Sequence, residues 1–433
     1  MKSKLKIFAS IACASVCALS IAGCGGKSTL LGKPVSVTDV TYAEREKEGY
    51  NGLVTAVDDF SASFAEYAYA DYKKENNFTV SPVSVYMALS LAAECANGQT
   101  REEILNALGV TYEQLYEFFP TLYGSLEVEH KRQNTVTGLL DLSNSIWINE
   151  GTAVKQACID KLSKNFYSYS YSADFANDNA AANKAVRDFV KENTRGLIDK
   201  DFHLPEITLF TLINTLYLNT VWNEHGFDLE YTDGNYDFKN SDGTITSTKL
   251  LNGYYNRGRV YSDDGFNAFY TTTSDGYKLK FIAPKEGFTV DDIFTAENLV
   301  KVNSVTDYNS VDEKAEKEYF TRCIFPEFNA NYDEDVKKIL QDKFGVKSFF
   351  NDACDLSNLT DAPAKCTSVR HVTELKVDKH GIEGAAVTVA ATDGSAGPRY
   401  EQVYCDFIID GAFGFIITDS RDVTLFSGVV QKI

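Results

Sequence analysis

Residues 379–403 read KHGIEGAAVTVAATDGSAGPRYEQV. The first half is small, β-capable and almost uncharged; the second half, Asp393-Gly394-Ser395-Ala396-Gly397-Pro398, has the composition of an exposed loop. Between Gly381 and Gly397 there is no proline, so every backbone N–H is able to join a sheet. In an extended chain one face carries Ile382, Gly384, Ala386, Thr388 and Ala390, and the other Glu383, Ala385, Val387, Val389 and Ala391. The first face is free of charge and fits inside an otherwise complete sheet. One segment is thus suited both to hang outside as a loop and to enter a sheet as a strand. An ordinary alanine-rich edge strand followed by a turn has the same composition, so the rest of the chain has to decide.

The chain has 433 residues, 44% hydrophobic and 24% charged, which describes a globular protein with a sizeable core. Its net charge is −19, so nucleic acid is not an expected partner. Lys2, Lys4 and Lys6 precede the short apolar run IFASIACASVCALSIAG, and Ile21-Ala22-Gly23-Cys24 follows the pattern of a bacterial lipobox. Residues 1–23 are therefore expected as a lipoprotein signal peptide and Cys24 as the lipidated residue. That places the protein outside the cell or at its surface, held to the bacterial membrane through Cys24. Residues 24–50 are rich in Gly, Ser and charge and read as a flexible tether, leaving 51–433 as one domain. Of nine cysteines, Cys95, Cys158, Cys323, Cys354, Cys366 and Cys405 lie beyond the lipobox without CxxC spacing, so neither a zinc site nor a defined disulfide framework is expected.

Helical periodicity runs from Leu53 to Lys74, and SVYMALSLAAECA, entered through Ser81-Pro82, is apolar nearly all round and should be buried. Thr100 and Glu103 form a capping-box pattern ahead of REEILNALG. Residues 137–149 read as a strand, 180–196 as an amphipathic helix, and TLFTLINTLYLNTVW (208–222) as a central strand covered on both faces. Asp-Gly turns punctuate 228–285, residues 335–345 suggest a short helix, and RHVTELKV, FGFIIT and VTLFSGVV are strands. Helices gather early and strands late without βαβ alternation, which predicts an α+β fold. No nucleotide-, zinc- or hydrolase-type motif is present, and none of the five histidines has metal-ligand spacing to another.

Several separated motifs, in order, resemble the serpin family. Asn77-Phe78-Thr79-Val80-Ser81-Pro82-Val83-Ser84 is similar to its N-x-x-x-SP-x-S element. Thr194-Arg195-Gly196-Leu197-Ile198, Asn214-Thr215-Leu216-Tyr217-Leu218 with Trp222 and Phe227, and Pro326-x-Phe328 match further elements. His371 lies ten residues before Gly381, and Leu425-Phe426-Ser427-Gly428-Val429 resembles the closing strand. The resemblance covers nearly everything after residue 50. It implies a single domain of mixed β-sheets, surrounding helices and an exposed reactive-centre loop at about 381–403.

The resemblance also implies a protease inhibitor rather than an enzyme, monomeric and without cofactor or metal, whose partners are serine proteases and sometimes cysteine proteases. The cleaved loop of such a protein enters its own sheet and traps the acyl-enzyme. Gly381, Ile382, Glu383, Gly384, Ala385, Ala386, Val387 and Thr388 fall on the hinge. Ser81, Ser84, Asn214, His371 and Trp222 fall on the region where the sheet opens, which makes His371 a buried structural residue rather than a base. Counting forward from the hinge puts the reactive bond at Ser395-Ala396, suited to elastase-like or subtilisin-like proteases; counting back from the terminal strands leaves Arg399-Tyr400, suited to trypsin-like ones. Ile382 stands where the family usually has Thr or Ser, and Lys379-His380 where acidic residues are usual. Two other readings stay open: a non-inhibitory member acting as a surface binder, and a lipid-anchored solute-binding protein.

Overall fold

The computed structural model describes residues 27–38, 40–72, 76–132, 135–222, 228–305, 310–383 and 400–433. The expectation of helices around mixed sheets holds. Phe210–Val221 carries no charge, is covered on nearly its whole length, and pairs antiparallel with Thr135–Asn149 from Gly138↔Thr220 to Ile148↔Phe210. Ser168–Ala173 lies parallel on the far side of Thr135–Asn149. On the other flank Arg370–Val377 pairs antiparallel with Phe328–Asp335 over eight residues. Phe328–Asp335 leads on to Phe78–Val80, Thr424–Val430, Phe413–Thr418 and Lys278–Pro284. The second sheet is built on Lys317–Phe325, with Leu251–Arg257 antiparallel on one side and Glu401–Ile408 parallel on the other.

Helix Pro82–Cys95 starts with its proline in the first turn, where no N–H is needed, and every one of its residues is buried, as its all-round apolarity requires. Helix Glu48–Asp71 begins earlier than its periodicity suggested and places Leu53, Val57, Phe60 and Phe64 in the core. The 180–196 and 335–345 expectations correspond to helices Asn179–Asn193 and Lys337–Asp342.

Two local expectations are corrected. Thr100 and Glu103 do not cap a helix: helix Gly98–Leu108 starts from Asn97. The Thr100 hydroxyl instead accepts from the Asp355 amide at 3.0 Å, and the Glu103 carboxylate accepts from the Lys347 and Ser348 amides at 2.8 and 2.7 Å. Tertiary donors have displaced the local cap. Second, the described part of the stretch expected as a flexible tether packs on the domain. Thr29–Gly32 adds antiparallel to Ser168–Ala173, the Val35 amide donates to the Ser163 carbonyl, and Tyr42–Arg45 is a short helix with a Thr41/Glu44 capping box. An unpaired edge and four apolar or small residues outweigh the polar composition around them.

Candidate functional site

The two flanks of the large sheet meet at Phe210–Val221 and Arg370–Val377. Among the described residues no direct ladder joins these strands; the two-residue strand Gly381–Ile382 lies between them. It runs antiparallel to both, with Gly381↔Val221 and Ile382↔Thr220 on one side and Val377↔Ile382 on the other. Ile382 is completely buried. Gly381 is demanded by the backbone, because a Cβ there would stand 2.0 Å from the Thr220 carbonyl oxygen and 3.0 Å from the Val221 Cα. No side chain fits that approach.

A tight turn delivers the chain to this slot. The buried Asp378 carboxylate accepts from the His380 amide at 2.8 Å and the Gly381 amide at 3.3 Å, and Lys376 pairs with it at 2.8 Å. The Trp222 indole N–H donates to the Asp378 carbonyl at 2.6 Å, and the Trp222 ring meets Phe325 edge-on at 5.6 Å. Lys379 and His380, which depart from the family pattern, both reach Asp228, at 3.2 and 2.6 Å. Burial pushes the Asp228 carboxyl up, but the hydrogen bonds from His380 and Lys379 outweigh it and hold the group below the usual carboxylate range. Glu383 closes the slot. Its amide donates to the Lys376 carbonyl at 2.8 Å, its carbonyl accepts from the Asn219 side-chain amide at 3.1 Å, and its φ of 56° turns the backbone left-handed. Burial raises its carboxyl above the ordinary value. The described chain resumes at the half-buried Tyr400, at the head of Glu401–Ile408.

Lower down, the Ser81 amide donates to Nε2 of His371 at 3.1 Å, and the Ser81 and Ser84 hydroxyls share a 2.9 Å hydrogen bond. His371 is enclosed by the rings of Phe64 and Tyr332, each 5.9 Å away. Burial alone drives its pKa down to about 3, so the imidazole is neutral and accepts.

The structure therefore brings together Gly381, Ile382, Glu383 and Trp222 in one place, and Ser81, Ser84 and His371 in another. Between Asn214 and His371 no hydrogen bond is formed: the Asn214 side-chain amide donates to Asn144 on the neighbouring strand, and its buried Oδ1 has no protein partner. Gly384, Ala385, Ala386, Val387, Thr388, Ser395, Ala396, Arg399 and Cys24 lie outside the described residues. Sequence reasoning missed Asp378, Asp228 and Asn219; the Asp-x-x-Gly spacing of the turn was the only local sign of any of them.

The described residues thus show a large sheet divided at one position, with the two-residue strand Gly381–Ile382 seated in the division. The serpin (serine protease inhibitor) family model matches residues 55–433, and the chain belongs to that family. Rat alpha-1-antiproteinase is 23% identical over 86% of this chain and 88% of its own, and Iripin-2 of Ixodes ricinus 27% identical over 83% and 88%. An uncharacterized serpin-like protein of Methanosarcina mazei is 24% identical over 99% of this chain and 98% of its own. Among solved structures, the thermophilic serpin tengpin in its native state superposes with a TM-score of 0.70 at 20% identity, over 93% of this chain and 97% of its own. Human thyroxine-binding globulin, solved in complex with its hormone, has a TM-score of 0.69 at 19% identity over 88% and 99%. The fold is the serpin fold, and the family is in general one of protease inhibitors rather than enzymes.

Proposed function

We propose that this protein is a suicide-substrate inhibitor of serine proteases, held at the outer surface of a bacterial cell through a lipid on Cys24. The observation that carries this reading is the seating of Gly381–Ile382 between Phe210–Val221 and Arg370–Val377, two strands that no ladder joins directly among the described residues. The ribbon that follows has only small or apolar residues on the face continuing from Ile382, namely Gly384, Ala386 and Thr388. In this reading the protease serine attacks the carbonyl of the reactive bond, Ser395-Ala396 or alternatively Arg399-Tyr400. An ester forms to the new C-terminus, and the amine leaves with residues beyond the bond. The freed arm then zips down the sheet from Glu383 onward. Each added residue gains ladder hydrogen bonds, no charged side chain enters the buried face, and the protease is carried along before water reaches the ester.

The test mixes the chain lacking residues 1–24 with elastase-like, subtilisin-like and trypsin-like proteases and runs denaturing gels. A covalent complex that survives detergent is the expected result, and the mass of the released C-terminal peptide reads out the bond. Clean cleavage with every protease still active would overturn the reading in favour of a non-inhibitory serpin. Mass analysis of the protein from its own membrane tests the lipid on Cys24.

A further inference from the structure

The second sheet turns one face to the body of the protein and the other outward. Along Lys317–Phe325 the inward residues Thr321 and Cys323 are fully buried, so alternation puts Glu318, Phe320 and Arg322 on the opposite face. The register carries that face across both neighbouring strands. Arg322 stands between Tyr255 and Asp406, and Phe320 between Arg257 and Tyr404. Three rings gather there: Tyr404 stacks on Phe320 at 5.5 Å and meets Tyr255 edge-on at 5.0 Å. Tyr255 nevertheless stays 42% exposed and Tyr404 56%. Single exposed apolar residues are ordinary, but a contiguous aromatic group is not.

The charges around the rings satisfy one another. Arg322 makes a two-pronged ion pair with Asp406 at 3.0 and 2.9 Å and lies over the Tyr255 ring at 5.1 Å. Arg257 pairs with Glu318 at 2.6 Å. The face is thus a braced, electrically neutral platform of tyrosine, phenylalanine and arginine, with the aromatic and arginine side chains that dominate binding energy at protein interfaces. Its position names the occupant. Tyr400 is four residues before Tyr404 and Ser395 nine, so at about 3.5 Å per residue the two candidate bonds lie within about 18 and 32 Å of that ring. A protease domain of about 200 residues is about 40 Å across. Seated on either bond, it comes over the platform or against its rim. We propose that Tyr255, Phe320 and Tyr404 form a docking platform for the protease that attacks the loop, separate from the reactive bond. The partner surface is apolar rather than charged, because the platform offers no net charge. The inference deepens the proposed inhibitory function and rests on it for the identity of the occupant.

The full chain in detergent micelles is cut with pancreatic elastase, subtilisin and trypsin, and the second-order rate is read from release of the C-terminal peptide. Tyr255 is remote in sequence from the loop, so replacing it changes no residue that enters the protease cleft. With the protease that cuts the parent fastest, Tyr255→Ser should slow release about tenfold, whereas Tyr255→Phe and a control at another exposed apolar residue, Ile207→Ser, stay within about twofold. The difference should persist from 50 to 500 mM salt, to within about twofold, because it is not electrostatic. A synthetic peptide of residues 388–408 should be cut equally fast with and without Tyr404→Ser, while the same change in the full chain slows release. Equal rates for the parent and Tyr255→Ser with all three proteases, or no cutting by any of them, would overturn the platform. Unchanged rates together with a parent dimer that Tyr255→Ser dissolves, read by light scattering, would assign the face to a second copy instead. Slower release by Tyr255→Ser without any covalent complex would keep the platform and refute the inhibitory reading alone.

Discussion

Replacing Ile382 by glutamate should drive the hinge out of the sheet. Full burial of an isoleucine side chain stabilises by about 2–3 kcal/mol, and Ile382 is fully buried. The short strand keeps two further ties at its ends, the Asp378 amide to the Gly381 carbonyl at 3.0 Å and the Glu383 amide to the Lys376 carbonyl at 2.8 Å, worth about 1 kcal/mol each. The seated hinge is thus favoured by about 5 kcal/mol at most. Glu at 382 forfeits the apolar burial and adds roughly 2 kcal/mol or more for enclosing an unpaired carboxyl, even one protonated to avoid a buried charge. The sum removes the whole advantage. Trp222 reports the outcome, since its indole donates into the hinge turn and the protein has only one other tryptophan, Trp147. In a Trp147→Phe background, Ile382→Glu should shift Trp222 emission to the red and strip hydrogen-exchange protection from the Glu383 amide, while Ile382→Val leaves both nearly unchanged. Emission and protection as in the parent would refute the assignment of Ile382 to the slot.

His371 should make stability fall in acid. Its folded pKa of about 3 lies below its ordinary 6.5, so its contribution is complete above pH 6.5 and is lost progressively as the pH drops toward 3. The slope is about 1.4 kcal/mol per pH unit. His371→Asn should show a shallower loss between pH 6 and 4 by urea denaturation, and identical slopes would contradict neutral burial. Glu127 works in the opposite direction. Burial and the nearby Asp141 raise its carboxyl from 4.5 to about 8, so its contribution is complete below pH 4.5 and is lost as the pH rises through 8. Glu127→Gln should flatten the alkaline side by a few kcal/mol, read from the same titration carried to pH 9. Deleting residues 27–38 uncovers the Ser168–Ala173 edge, and light scattering should register faster aggregation on warming; an unchanged onset would mean that the strand pairing carries no protective role.

The elements decided by their own residues were legible in the sequence. Pro82–Cys95 is apolar on every side and had to be buried, and Phe210–Val221 lacks charge and had to be covered. What escaped depended on partners far along the chain. The four residues Thr29–Gly32 carry no periodicity long enough to read, and they form a strand only because Ser168–Ala173 offers an edge. Thr100 and Glu103 have the spacing of a cap, yet partners 244 to 255 residues away claim both side chains. Asn214 sits on the strand its motif requires, and its side-chain amide is taken up by Asn144 on the neighbouring strand.

The hinge shows the same division within two adjacent residues. Alternation along the ribbon placed Ile382 on the inward face, and the structure finds it there. Ile382 stands where the family usually has the smaller Thr or Ser, yet the closest approach in the slot is made by backbone. The position that tolerates no added atom is Gly381, whose Cβ would meet the Thr220 carbonyl. Lys379 and His380, departures from the family pattern, find a local anion in Asp228. The steric demand at the entrance is therefore met by one glycine, and the charge in the preceding turn is matched by one aspartate. Beyond Glu383 the sequence supplies no further charge up to Asp393, so under the proposed mechanism the ribbon itself carries no charged side chain to oppose deeper insertion.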